Sequence, residues 1–394
     1  MSTKPRPAIH EALALDRVRA LRGLIEDCAA RDEGATQLDR DVTDALHEAG
    51  IFALMTPAEL GGEEAHPDIM IDVIRELSYY DGSTGWYAGA VMTGGAVAGA
   101  YLGERAIDAI YRSGPMKLCA GQAMPNGRAY REGDGYRISG RYTFGSGTPT
   151  ASFCVGGYLV YDGDEPVLGE NGQPIHLIGI APREHVKFHG NWDVMGLRGT
   201  GSYDFEVCEH VLHEDHFIHA AAPMARRGGT LYRIGFMAIP CLHHGSWGIG
   251  VAQRALDEWL AIAQAKKRPD GFAHQATTMQ RDFAVAQGEL RAAEAYYRQS
   301  YSLLFERVEA GAPAEEIGAL HLDARLSTSN ALLIGTRVTQ TAFTACTTLA
   351  LRDGNMIQRC FRDSQAGNAH ILTGETSFIE AGRVLAGIDE KIFF

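Results

Sequence analysis

The hydrophobic period of this chain changes twice, which limits the folds open to it more than any single motif does. From residue 9 to about residue 111 apolar side chains recur at helical spacing. Leu13, Val18, Leu21, Leu24 and Ile25 do so first, then Ile69, Val73, Ile74 and Leu77 after the Gly61-Gly62 break and Pro67. Near Gly114-Pro115 the period falls to two. Tyr136, Ile138, Tyr142 and Phe144 then alternate with Arg137, Ser139, Arg141 and Thr143 behind a Gly133-Asp134-Gly135 turn. Short β-like runs follow at 153–161, 176–182, 186–188 and 203–207. After Pro223 the helical period returns, with long runs over 290–304 and 322–345 separated by Gly311-Ala312-Pro313. An α+β chain of three domains is expected: helical over 1–113, a β-barrel or sandwich over 114–222, and a helical bundle over 223–394.

At 394 residues the chain is long enough for two or three cores. Lys and Arg total 36 against 49 Asp and Glu, a formal net charge of -13, which repels nucleic acid and anionic membrane surfaces. The most lipid-like run, 88–102, is shorter than the ~20 apolar residues of a spanning helix. The N-terminus lacks the apolar core of a signal peptide. Seven cysteines without a C-x-x-C pair suit a reducing cytoplasm and speak against a disulfide framework or zinc ribbon.

Several motifs invite a chemical role. No G-x-G-x-x-G follows a strand and no P-loop occurs, so a nucleotide must be held otherwise. His210, His213, His216 and His219 recur at intervals of three after a predicted strand. That spacing does not fit H-E-x-x-H, so the segment is expected to be a solvated connector, and no metal is expected. His243-His244 are neighbours whose side chains should diverge on a helix. Between His216 and Leu256 there is no Asp or Glu, while Arg226, Arg227, Arg233 and Arg254 are present. The stretch could border an anion, and it cannot supply a carboxylate base. Arg359 and Asp363, four apart, are expected to form a helical ion pair. His370, near its ordinary pKa, could exchange a proton at neutral pH. Residues 192–202, Trp-Asp-Val-Met-Gly-Leu-Arg-Gly-Thr-Gly-Ser, have the composition of a binding loop.

Five segments together resemble the acyl-CoA dehydrogenase superfamily along nearly the whole chain. They are Pro57-x-x-Leu60-Gly61-Gly62, the Gly-Tyr-Arg-Ile-Ser-Gly run at 135–140, the Gly-Leu-Arg-Gly-Thr-Gly-Ser loop, the run at 250–256, and Arg359-x-x-Arg362-Asp363. The resemblance implies a helical domain, a central β domain and a C-terminal four-helix bundle. Where dehydrogenases of the superfamily carry a carboxylate base, this chain has His370-Ile371 and the acid-free stretch before Gly250. Phe-x-Ser-Gly at 144–147, Trp192, the 198–202 loop and Ile-Gln-Arg-x-x-Arg-Asp followed by a histidine resemble instead the two-component flavin-dependent monooxygenases of the same fold.

That branch implies reduced flavin, FMNH2 or FADH2, delivered by a separate NAD(P)H-dependent flavin reductase. It also implies O2, a flavin C4a-hydroperoxide, a small aromatic or amine substrate and a homotetramer. By the same resemblance Ser146 would bond the flavin N5 side and His370 would assist the peroxide. Phe144 and Trp192 would wall the ring; Arg198, Gly199, Thr200 and Ser202 would hold ring or phosphate; Arg268 would reach a phosphate. Two departures stand out. Aromatic hydroxylases of the branch often carry a histidine where this chain has Gly94, and the segment from Pro223 to Gly250 is short for a steroid-ring hydroxylase. A dehydrogenase with a displaced base and a silent flavin-binding homologue remain as alternatives.

Overall fold

The computed structural model describes residues 8–221, 223–269, 271–390 and 392. The N-terminal heptapeptide on which the signal-peptide reading rests lies outside them. Six helices come first: α1 (Ala8–Ala20), α2 (Arg22–Ala35), α3 (Arg40–Glu48), α4 (Pro67–Tyr80), α5 (Gly82–Tyr101) and α6 (Glu104–Ile107). Nine strands follow: β1 (Cys119–Gly121), β2 (Gly127–Glu132), β3 (Gly135–Tyr142), β4 (Phe153–Asp162), β5 (Glu165–Pro166), β6 (His176–Pro182), β7 (Val186–Phe188), β8 (Phe205–His213) and β9 (Phe217–His219). The last part holds α7 (Ala238–Ala265), a hairpin of β10 (Lys267–Arg268) and β11 (Gly271–Phe272), α8 (Thr277–Glu309), α9 (Ala314–Cys346), α10 (Met356–Asn368) and α11 (Glu375–Leu385).

The nine strands form one sheet in the order β7-β8-β3-β2-β4-β6-β9, with β1 and β5 also paired to β4. β2 and β4 run parallel, in register Gly127 with Tyr158, while β3 pairs antiparallel with both β2 and β8. Inward side chains from across this path, among them Ile138, Tyr158, Leu177, Phe205 and Phe217, share one small core. The sheet therefore curls around them as a barrel does, although its end strands are not paired to each other. A second and larger core joins α1–α5 to α7–α10, so helices from both ends of the sequence bury their apolar faces together.

The histidine run is no connector. β8 extends six residues past Val207, so His210 and His213 belong to the strand and His219 to β9. His210 stacks on His185 with ring centres 4.1 Å apart, His213 Nε2 lies 3.2 Å from Asp134, and His216 Nδ1 lies 3.1 Å from the Ile180 carbonyl. Among the described residues no group of His, Cys, Asp and Glu is arranged to hold a metal ion. Two of the four arginines of the acid-free stretch, Arg227 and Arg254, are taken up by carboxylates, while Arg226 and Arg233 are exposed. Arg227 is buried against Glu104 and the Leu102 carbonyl, and Arg254 pairs with Glu26 at 2.7 Å and Glu258 at 2.9 Å, carboxylates from outside the stretch. No helix of the described residues is long and apolar enough to cross a membrane.

α5 is the internal helix its small residues suggest. Asp81 caps it, accepting from the Thr84 amide at 2.8 Å and the Thr84 hydroxyl at 2.9 Å. Glycine at 89 is required by packing: a Cβ there would stand 2.6 Å from the His243 ring of α7.

Residues 192–202 form the joint between the sheet and both helical parts. The Leu197 amide donates to Asp363 of α10 at 2.6 Å, the Gly199 amide to Ser83 of α5 at 3.1 Å, and Arg198 Nε to the Glu33 carbonyl of α2 at 3.3 Å. Arg359 does not pair with Asp363, because long-range partners outcompete the helical one. It reaches Glu33 at 3.3 Å and Asp81 at 3.8 Å, and Arg362 joins it on Glu33. Burial and the nearby Asp81 carboxylate push the Asp363 acid up to about 7, while the Leu197 N–H and the two arginines hold it down. Asp363→Ala strips the buried Leu197 N–H of its acceptor and is expected to cost about 3 kcal/mol in urea unfolding, with Asp363→Asn losing less than half of that. Equal losses in the two variants would remove the hydrogen bond as the cause.

Candidate active site

A cavity of about 540 Å³ opens where α5, the sheet and the first turns of α7 meet the end of α10, within the ~300–1,000 Å³ typical of ligand pockets. One stripe of α5 supplies Trp86, Ala90, Thr93, Gly94 and Val97, at i, i+4, i+7, i+8 and i+11. The turn after β1 adds residues 121–124, the loop after β3 adds Phe144 and Ser146, α7 adds Pro240, His243 and His244, and the segment after α10 adds residues 370–372. Among the described residues no Asp, Glu, Lys or Arg lines it. Its titratable groups are four histidines, His176, His243, His244 and His370.

The expected site residues divide. Phe144, Ser146 and His370 line the cavity together. Phe144 is held at a backbone φ of +60°, a strained value for a residue with a side chain, and its exposed ring meets Trp192 edge to face at 5.9 Å. Trp192 itself stands behind, with Nε1 donating to the Leu197 carbonyl at 2.9 Å. Arg198 and Gly199 serve the joint described above. Thr200 lines a different cavity of about 620 Å³ beside α3, and Arg268 is exposed on the β10–β11 hairpin. Ser202 reaches the site through Ser146.

That connection fixes the polarity of Ser146. Thr200 Oγ1 donates to the Leu197 carbonyl at 2.9 Å, so its 2.7 Å contact with Ser202 must use the Ser202 hydrogen. Ser202 then accepts from Ser146 at 2.8 Å, and Ser146 accepts from Trp86 Nε1 at 3.1 Å. One lone pair of Ser146, a residue of the cavity wall, is left over.

His370 is not poised near neutrality. Burial and the buried Arg325 guanidinium push it down to about 4, so the ring is uncharged at pH 7. Its Nδ1 accepts from the Leu372 amide at 3.3 Å, which puts the remaining hydrogen on Nε2. The ring packs on His244 at 4.4 Å and on Trp86 at 5.5 Å. His243 and His244, expected to diverge, have ring centres 3.9 Å apart and enter the same cavity. Burial lowers both, His243 to about 3. Trp86, in Ser-Thr-Gly-Trp, and this histidine pair are the site residues that sequence reasoning passed over. Their signal was available: a histidine pair close to the start of a helix in an acid-free stretch.

Residues 242–375 match the family described as acyl-CoA dehydrogenase, C-terminal domain. The chain is 28% identical over 368 residues to the indole-3-acetate monooxygenase of Acinetobacter baumannii, covering 92% of this chain and 90% of that one. It is 25% identical over 376 residues to the flavin-dependent monooxygenase oxygenase subunit HsaA of Rhodococcus jostii, covering 90% and 93%. Among solved structures, 3-HSA hydroxylase from Rhodococcus sp. RHA1 superposes with a TM-score of 0.85 at 23% identity, covering 95% of this chain and 97% of that one. XiaF from Streptomyces sp., in complex with FADH2 and glycerol, gives 0.85 at 20% identity, covering 97% of each.

The fold is therefore that of the acyl-CoA dehydrogenase superfamily, around a cavity without the carboxylate that dehydrogenation would use. The relatives that the chain resembles along about nine-tenths of its length are named as monooxygenases, one of them as the oxygenase subunit of a flavin-dependent monooxygenase.

Proposed function

We propose that the chain is the oxygenase component of a two-component monooxygenase. In this reading it takes reduced FMN or FAD from a separate NAD(P)H-dependent reductase and uses O2 to oxidise a small organic molecule, as a homotetramer in the cytoplasm. The observation that carries this is the cavity itself, whose polar side chains are imidazoles, hydroxyls, the Gln122 amide and the Trp86 indole, with no acid among the described residues. An acyl-CoA dehydrogenase with a displaced base finds no carboxylate here to use among the described residues.

The residues present suit a flavin. The exposed Phe144 ring offers an apolar face at the mouth, and the spare lone pair of Ser146 accepts from an N–H, as N5 of a reduced flavin presents. When bound, reduced flavin supplies the electrons that activate O2. Val97, Val155, Ile178 and Leu372 keep the surroundings apolar, which limits water. His370 Nε2–H would be a neutral hydrogen-bond donor available to an oxygen held in the cavity, and it would keep its proton.

The test is anaerobic loading with reduced flavin, then mixing with labelled O2 and a candidate aromatic. Product carrying one labelled oxygen supports the proposal. Bleaching of oxidised flavin by an acyl-CoA would sink it. Because Ser146 accepts from a group only reduced flavin carries, Ser146→Ala should weaken reduced flavin about fivefold and oxidised flavin hardly at all. Equal loss for both forms would remove that role. Because His370 stays uncharged above about pH 5, product formed per flavin consumed should be flat between about pH 6 and pH 8. An inflection near pH 6.5 that His370→Asn abolishes would contradict the uncharged ring.

A further inference from the structure

The cavity offers hydrogen-bonding atoms of fixed polarity and no charge. His244 Nδ1 lies 2.6 Å from the Pro240 carbonyl, which can only accept, so this nitrogen carries the hydrogen and Nε2 is an acceptor. His370 is wired the opposite way, with Nε2 as the donor. The two rings are tilted by 37° at 4.4 Å, which is packing face to face rather than bonding edge to edge. With His370 turned to oxygen, His244 Nε2 is left for the substrate.

The rest of the wall includes Val97, Val155, Phe236, Met237 and Leu372, and among the described residues no cation reaches it. Arg325, on α9, stands behind the two imidazoles. Its Nη2 is 3.4 Å from Glu380 and its Nη1 is 3.3 Å from Cys241. Its Nε is fully buried without a partner, sealed inside the wall and closed to a ligand in the cavity. A carboxylate entering here would shed its hydration and touch no cation, and the field of Arg325 behind the wall is already offset by Glu380. An aromatic ring would trade water for apolar contact, and one N–H or O–H on it would meet a waiting lone pair.

We infer that the cavity selects an uncharged aromatic bearing an N–H or O–H donor, accepted by His244 Nε2, and that it rejects aromatic carboxylates. This rests on the oxygenase reading for the identity of the site, and it separates the chain from the relative named for indole-3-acetate.

The experiment is calorimetric titration of the full chain with reduced flavin present and oxygen excluded, using indole, N-methylindole and indole-3-acetate at neutral pH. Indole is expected to bind at least ~30-fold tighter than indole-3-acetate and about fivefold tighter than N-methylindole. His244→Leu should bring indole and N-methylindole to parity, and His244→Gln, which retains an acceptor, should reopen the gap. Binding of indole-3-acetate as tight as that of indole would overturn the inference, as would parity between indole and N-methylindole in the unaltered chain. Binding is read without turnover, so the two ideas fail separately. The expected preference without oxygenated product retains this inference and removes the oxygenase reading; oxygenation of the carboxylate as fast as of indole does the reverse.

Discussion

Replacing His370 by alanine is expected to slow oxygen transfer to substrate about 10²-fold while leaving flavin affinity nearly unchanged, with consumed O2 reappearing as hydrogen peroxide. The magnitude is that of removing one preorganised donor from a site shielded from water. His370 qualifies as such a donor on geometry: its Nδ1 is engaged by the Leu372 amide and its ring is packed against His244 and Trp86. Flavin affinity should survive because the Phe144 and Ser146 side of the cavity belongs to the loop after β3 and does not depend on the ring. The check is peroxide and product measured together per flavin oxidised. Unchanged partition would take His370 out of the chemistry. His370→Gln, which keeps an N–H, should recover part of the loss.

The second large effect is structural. Gly94→Ala is expected to lower stability by about 3 kcal/mol or more, and Gly94→His to prevent folding. A Cβ at this position would run into the Cys119 carbonyl oxygen and stand 2.7 Å from its carbon, and both are backbone. α5 and β1 meet there, in contact through their main chains, and neither can yield as a side-chain tip can. Urea unfolding of the alanine variant is the measurement; a midpoint unchanged within error would show that the helix and strand can part. Position 94 is where the resemblance to aromatic hydroxylases of the branch would place a histidine. No side chain fits at 94. Imidazoles reach the cavity from α7 instead, His243 by way of a 3.3 Å contact with Thr93.

Much of the fold was legible because its signals are local. The alternation at 136–144, the short runs at 176–182 and 186–188 and the Gly-Ala-Pro break at 311–313 depend on neighbours a few residues away. They match β3, β6, β7 and the α8–α9 turn closely. Motifs singled out Phe144, Ser146 and His370, and the structure places all three on the wall of one cavity. Among the described residues no carboxylate lines that cavity.

What spacing could not reveal depends on contacts across more than a hundred residues. Residues 192–202 have the composition of a binding loop, yet their amides and Arg198 are used on Asp363, Ser83 and Glu33. Composition records which groups can bond but not which partner arrives. His243 and His244 looked divergent because helical geometry separates adjacent side chains, and only the packing of α5, α10 and α7 around one cavity turns both rings into it. The charge of His370 follows the same logic. An imidazole alone titrates near 6.5, and it is enclosure beside a buried arginine that keeps this one neutral. The sequence by itself determined the order of elements, the fold and the residue types of the site. Tertiary structure decided which residues meet there and in what protonation state, because desolvation and long-range hydrogen bonds exist only once distant segments are packed together.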